Sequence, residues 1–181
     1  MINVSLLRKE LKDGTISVKD RLIIEDLFRR NDPIVQDIVV PYLKYFPEVD
    51  VELLVNYLER SRSIEAVAEV LTGLSNLGVR DARFVRLLTD FARGVSWDFG
   101  DVIKLSAVFA IPRVMEPNLA RGVLADAYKS DNQVVRDAVL VSAQTSLGVP
   151  PERILWGSEH SELASEISPE VLTWIVGKSN R

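Results

Sequence analysis

At 181 residues the chain is one domain by length, long enough to bury roughly two-thirds of the surface its unfolded form exposes. Cysteine is absent and His160 is the only histidine, which excludes disulfides, thiolate metal sites and cysteine nucleophiles and leaves no material for histidine-built zinc sites or triads. The net charge of −4 sets the whole-molecule field against DNA or an anionic membrane, although a local basic surface is compatible with it.

From the N-terminus, Met1 to Asp13 carries Arg8, Lys9, Glu10 and Lys12, and no apolar run long enough for a signal peptide or membrane span follows. A cytoplasmic protein without metal or cofactor is the expectation. Residues 1–14 read as a capping helix and 15–148 as four helical hairpins, each with a first helix A and a second helix B. Residues 149–181 read as an irregular fifth hairpin and C-terminal cap, all in one domain. Ser17 is suited to cap a first helix that ends with Arg29 and Arg30, cations at the negative end of its dipole. Asp32-Pro33 reads as N-cap and first helical position of helix B1, and Pro41 should kink it. Asp50 opens A2, and Ser63 opens B2, which stops at Gly78.

Asp81 starts the third pair, with Phe84, Leu87, Leu88 and Phe91 on one face and Gly94 as its stop. B3 is expected from about Trp97-Asp98, with Pro112 as a second kink. A4 follows from about Pro117 to Lys129, burying Ala120, Val123, Leu124 and Ala127. Asp131 or Asn132 then caps B4, which ends at Gly148. Ser168-Pro169-Glu170 opens a short last helix through Val176 to Gly177. No convincing strand is present.

These elements repeat. Ile64, Ala68, Leu71, Leu77 and Gly78 return 70 positions later as Val134, Ala138, Val141, Leu147 and Gly148, an offset that divides into two units of 35. The tetratricopeptide and ankyrin signatures are missing. The openings Asp32-Pro33-Ile34-Val35-Gln36-Asp37 and Asp131-Asn132-Gln133-Val134-Val135-Arg136-Asp137-Ala138 resemble HEAT repeats over about residues 17–177. The resemblance implies an all-α, right-handed solenoid of about five HEAT-like hairpins with no sheet, whose second helices line one wall.

Most enzyme signatures are absent: no phosphate-cradling glycine loop, no Gly-x-Ser-x-Gly and no His-Glu-x-x-His. One string, Ser96-Trp97-Asp98-Phe99-Gly100-Asp101, looks like the tryptophan-aspartate stretch of HEAT-like alkylpurine DNA glycosylases. The resemblance implies a Trp97/Asp101 pair on one helix face, joined by Arg136 of the next repeat and Trp174 of the last. In that family's chemistry Asp101 would stabilise oxocarbenium character on the sugar of an alkylated purine nucleotide. Trp97 and Trp174 would contact sugar and backbone, and Arg136 a phosphate of double-stranded DNA.

Charge weighs on the other side. The second-helix surface carries Gln36, Asp37, Glu65, Glu69, Lys104 and Asp137, a mixed set that forfeits the main term in DNA affinity. Arg80, Arg83, Arg86 and Arg93 form a stripe that Asp81 and Asp90 interrupt, as on a solvated helix face. Glu159, Glu162, Glu166 and Glu170 would form an acidic ridge if their segment is helical, beside His160, Trp156 and Trp174. Pro41-Tyr42-Leu43-Lys44-Tyr45-Phe46-Pro47 concentrates aromatics at a kink, chiefly as core. The leading expectation is therefore a non-enzymatic module that grips a protein presenting a basic or aromatic surface, as an adaptor or as an inhibitor in the manner of immunity proteins. Trp97, Arg136 and Trp174 are its candidate anchors.

Overall fold

The computed structural model describes Leu6, Lys9, Glu10, Asp13 and residues 15–30, 51–157 and 163–177, with Phe28 described for its backbone alone. All regular elements among the described residues are helical. The chain divides into two compact units, Met1–Val79 and Arg80–Arg181.

The first unit contains α1 (Val18–Arg29), α2 (Val51–Arg60) and α3 (Ile64–Asn76). The Asp20 backbone N–H donates to Ser17 Oγ at 3.1 Å while the Ser17 hydroxyl donates to the Asp20 carboxylate, so Ser17 opens α1 as its position suggests. Helix α2 packs against α1 and α3, with Leu54, Leu58, Val67, Leu71 and Leu74 sealed from solvent. Ser63 is the α3 N-cap by conformation, but its hydroxyl caps nothing. The turn is held by buried Ser61, whose Oγ accepts from the Ser63 N–H at 3.2 Å. Burial pushes the Tyr57 phenol up, partly offset by the nearby Ser61 side chain. The expectations at Asp32-Pro33, Gln36, Asp37, Pro41, Tyr42, Tyr45 and Asp50 lie outside the described residues, as does most of 1–14.

The second unit begins with α4 (Ala82–Arg93), α5 (Val102–Val114), α6 (Pro117–Ala127) and α7 (Gln133–Ser146). A one-turn 3-10 helix (Pro151–Arg153), α8 (Leu163–Glu166) and α9 (Pro169–Val176) follow. Two hairpins stack here: α4 packs on α5 and α6 on α7, while first helix meets first helix (α4–α6) and second meets second (α5–α7). Helix α8 closes on α7, and α9 lies across both α6 and α7. Asp81 caps α4 by accepting from the Arg83 and Phe84 N–H groups, and Gly94 ends it with φ 102°. Phe84, Leu88, Leu124, Val135 and Leu140 are fully enclosed.

The 70-residue offset is strongest at the helix ends. Leu77, Gly78 and Val79 donate to the carbonyls of Gly73, Ser75 and Leu74, and Leu147, Gly148 and Val149 repeat this with Ala143, Thr145 and Gln144. Gly78 and Gly148 take the left-handed φ (65° and 75°) that this stop requires and that side-chain-bearing residues avoid. The start of the pattern does not repeat in environment: Ile64 is half-buried whereas Val134 is exposed.

The two ends of the arginine stripe tie the first helices of neighbouring hairpins together. Arg80 pairs with Glu116 at 2.7 Å and Arg93 with Asp126 at 3.2 Å. A hydrogen bond from Lys129, its positive charge and then Arg93 hold the Asp126 carboxyl below the usual range. The stability this linkage contributes is present at neutral pH and fades as pH falls through that lowered pKa; the pair is exposed, so the effect is small.

Candidate functional site

Four side chains carry the sequence-based site: Trp97, Asp101, Arg136 and Trp174. The first expectation about them fails. Helix α5 starts at Val102, so Trp97 and Asp101 lie in the preceding turn and share no helix face. Gly100 (φ 92°) and Asp101 (φ 59°) both take left-handed backbone, which no helix can propagate. Asp101 is the one described residue other than glycine with positive φ.

The turn before α5 and the turn before α7 are built into each other. Asp98 Oδ2 accepts from the Lys104 N–H in the first turn of α5 at 2.9 Å, doing the capping that the Asp101 side chain leaves undone. Asp101 Oδ2 instead accepts from Asn132 Nδ2 at 2.8 Å, and Asn132 Oδ1 caps α7 through the Val134 N–H at 3.0 Å. Lys104 Nζ reaches Ser130 Oγ at 3.2 Å. The second oxygen of Asp98 is buried and accepts no hydrogen bond among the described residues.

Arg136 faces the same turn. Its guanidinium donates to the Ser130 and Asp131 carbonyls at 2.8 and 2.9 Å and to Gln133 Oε1. Gln133 in turn donates to Asp137 Oδ1 at 2.8 Å. The structure thus brings Asp101 and Arg136 to one turn, 130–132, where each is engaged by neighbouring polar groups. Trp97 is half-buried, edge-on to Phe91 of α4 with ring centres 6.3 Å apart. Trp174 is placed on α9, where it lines an open groove of about 520 Å³ with Pro169, Glu170, Thr173 and Arg121 of α6. Trp174 thus stands against a first helix, and the other three stand at the starts of second helices.

The acidic ridge is interrupted as well. Glu166 ends α8 and Glu170 lies in the first turn of α9, with Ile167 and Ser168 between the two helices. Glu159, His160 and Glu162 lie outside the described residues.

A feature that spacing does not reveal lies on the α5–α7 side. Trp156 is 63% exposed and Phe109 37%, yet their rings stand 6.4 Å apart at 31°. Val102, about two turns before Phe109 on the same side of α5, is also exposed. Trp156 is carried there because Gln144 holds the strand-like stretch after the 3-10 turn. The Gln144 amide nitrogen donates to the Leu155 carbonyl at 3.0 Å, and its oxygen accepts from the Leu155 N–H at 2.9 Å. Gly157 follows so closely over the first turn of α7 that a Cβ there would stand 2.8 Å from Asp137 Oδ2. This covering segment changes the expected wall: residues 138–144 of α7 are all buried, and only the two ends of the helix remain on the surface. The sequence signal was the apolar run Ala138–Val141, followed by Ala143 with no charged residue up to Ser146, which leaves no strongly polar face.

No acid-base pair or nucleophile is aligned among these residues, and no group of histidine, cysteine or carboxylate side chains suited to a metal occurs among the described residues. No described helix is long and apolar enough to cross a membrane. No protein-family model, curated protein or solved structure matches the chain.

Proposed function

We propose that the chain is a HEAT-like helical-repeat module that binds another protein through the α5 side of its second unit. The observation that supports this reading best is the exposed Phe109–Trp156 pair. Two adjoining aromatic rings partly left in water, on the side of α5 that also exposes Val102, form an apolar surface, and aromatic anchors of this kind carry much of the energy of protein interfaces. The stacking of hairpin on hairpin, first helix on first and second on second, is the arrangement a solenoid repeats to build such surfaces. An adaptor and an inhibitor both fit this reading, with a partner in a compartment where a cysteine-free protein is at no disadvantage.

Photo-crosslinking tests it. A photoreactive residue at Val102 is expected to trap one protein of defined mass from native extract, whereas the same residue at Arg80 traps none. The Val102 product should vanish when Phe109 and Trp156 are both changed to alanine. Labelling at Val102 that is diffuse, or indifferent to the double change, overturns the proposal.

One observation favours the alkylpurine DNA glycosylase reading as a rival. The left-handed backbone at Asp101 is a strained conformation of the sort stored at functional sites, costing about 1–3 kcal/mol. Against it stand the hydrogen bonds that already occupy Asp101 and Arg136. Under this reading, methylated duplex DNA releases 3-methyladenine or 7-methylguanine with the wild-type chain, the Asp101→Asn change abolishes release and Trp97→Ala weakens it. A wild-type chain that frees no base eliminates the reading.

A further inference from the structure

Trp174 stands away from the α5 surface, in the groove between α6 and α9 that Arg121, Pro169, Glu170 and Thr173 line with it. Its volume of about 520 Å³ falls within the range of small-ligand sites, roughly 300–1,000 Å³. On α9, Glu170, Thr173 and Trp174 are spaced i, i+3 and i+4, so they share one side of the helix. The Arg121 guanidinium lies at the far end of that side. A Cβ on Gly177, the residue that ends α9, would stand 3.7 Å from its Nη2. Glu170 lies in the first turn of α9, seven residues and about 10 Å of helix axis from Gly177. A cation and a carboxylate thus stand at the two ends of one groove, with the indole between them.

The polar groups here are uncommitted. Arg80, Arg93 and Arg136 are each held by neighbouring acids or carbonyls, whereas Arg121 makes no hydrogen bond or ion pair with any described residue. Glu170 makes none either. Thr15, Thr72, Thr89 and Thr145 each donate the hydroxyl to a main-chain carbonyl, the last three to one a helical turn back. The Thr173 hydroxyl has no such bond to a described residue, although Pro169 lies four residues before it.

A ligand that satisfies this lining carries both charges and an apolar middle. A simple anion would serve Arg121 and leave Glu170 without a partner, and a simple cation would do the reverse. The planar fork of Arg121 matches a carboxylate, Glu170 accepts from an ammonium, and an indole covers a methylene chain. Lysine with a free α-carboxylate has this form. Extended, its two charges stand about 6 Å apart, and a hydrogen bond of about 3 Å at each end completes the span. The groove is open, so it would enclose a free amino acid poorly but leaves an exit for the chain preceding a terminal residue.

We infer that the α6–α9 groove binds the carboxy-terminal lysine of a peptide or protein. The α-carboxylate lies on Arg121, the methylenes lie along Trp174, and the ammonium donates to Glu170 and the Thr173 hydroxyl. This site is separate from the α5 surface and does not depend on it.

The test titrates the full chain with three fluorescein-labelled glycine peptides, followed by anisotropy. One ends in lysine, one in lysine carboxamide and one in norleucine, which keeps the methylenes and lacks the ammonium. The lysine peptide is expected to bind about tenfold more tightly than either of the others. Arg121→Ala should erase the difference between lysine and its carboxamide, and Glu170→Gln that between lysine and norleucine. Each change removes one discrimination and keeps the other, which a general loss of folding cannot do. Trp174→Phe should weaken all three peptides together, and Thr173→Val should weaken the lysine peptide severalfold. Arg80→Ala should bind as wild type, because that guanidinium is taken by Glu116.

Equal affinity for the three peptides overturns the inference. So does a preference for the free carboxylate that survives Arg121→Ala, or one for the ammonium that survives Glu170→Gln. Free lysine competing as tightly as the lysine peptide binds would make the occupant an amino acid rather than a chain end, and overturns it too.

Discussion

Replacing Gln144 with alanine is expected to destabilise the second unit by about 2–4 kcal/mol and to free the segment that carries Trp156. The side chain is 3% exposed and is the only link among the described residues that ties Leu155 to α7 by hydrogen bonds at both its N–H and its C=O. Alanine removes both bonds and leaves a void beside Leu140, whose carbonyl also receives the Gln144 amide at 3.4 Å. The measurement is urea unfolding joined to amide hydrogen exchange at Leu155, which should pass from protected to open. The Gln144→Glu change sharpens the expectation. It keeps an acceptor for the Leu155 N–H but points a carboxylate at the Leu155 and Leu140 carbonyls, so at neutral pH it should cost more than alanine. Burial and those carbonyls raise the folded-state pKa of the introduced group above its unfolded value, about 4.3. The protonated form, which can donate, is thus favoured in the fold. Stability should be highest below that unfolded value and fall as pH rises through the raised one. A loss under about 0.5 kcal/mol in Gln144→Ala, with Leu155 exchange unchanged, would show that packing alone holds the segment.

How far this could be read in advance depended on whether the controlling interaction was local. Helix boundaries were legible because caps and stops act within a turn. Asp81 before Phe84, Asn132 before Val134 and Gly148 after Leu147 each perform the role their position implies. The 70-residue offset was legible for the same reason, since it records two copies of one helix stop. Trp97 and Asp101 were misplaced on a helix because spacing ignores Gly100, whose left-handed backbone carries the chain into α5 from outside the helical path. Arg136 could be assigned to the turn but not to its carbonyls, and Gln144–Leu155 spans the 3-10 turn with no periodic trace at all. The aromatic pair joins Phe109 on α5 to Trp156 beyond α7, a contact that exists only after Gln144 has fixed the covering segment. A site assembled by such a non-local tie is invisible to pattern, even when every helix that frames it is visible.

Pro112 supplies the second large effect, through a hydrogen bond it withholds. As a proline inside α5 it has no N–H for the Val108 carbonyl one turn back, and its ring crowds that oxygen. Pro112 does not end the helix, which continues through it to Val114. The orphaned carbonyl is served from the neighbouring second helix: Ser142 Oγ donates to Val108 O at 3.0 Å, with Ser142 1% and Val108 0% exposed. Ser142→Ala should therefore cost about 1–3 kcal/mol, the penalty of a buried acceptor left without a donor rather than that of a lost hydroxyl. In a Pro112→Ala background the residue-112 N–H returns to the helix ladder and the same Ser142→Ala change should cost well under half as much. A double-mutant cycle between positions 112 and 142 should then show a coupling of about 1–2 kcal/mol. Additive effects would mean that the Val108 oxygen finds another donor, and that the α5–α7 contact is set by Ile111, Val139 and their apolar neighbours alone. Coupling of the stated size would instead make the serine the polar key that fixes how these two helices meet, and with them the surface on which Phe109 stands.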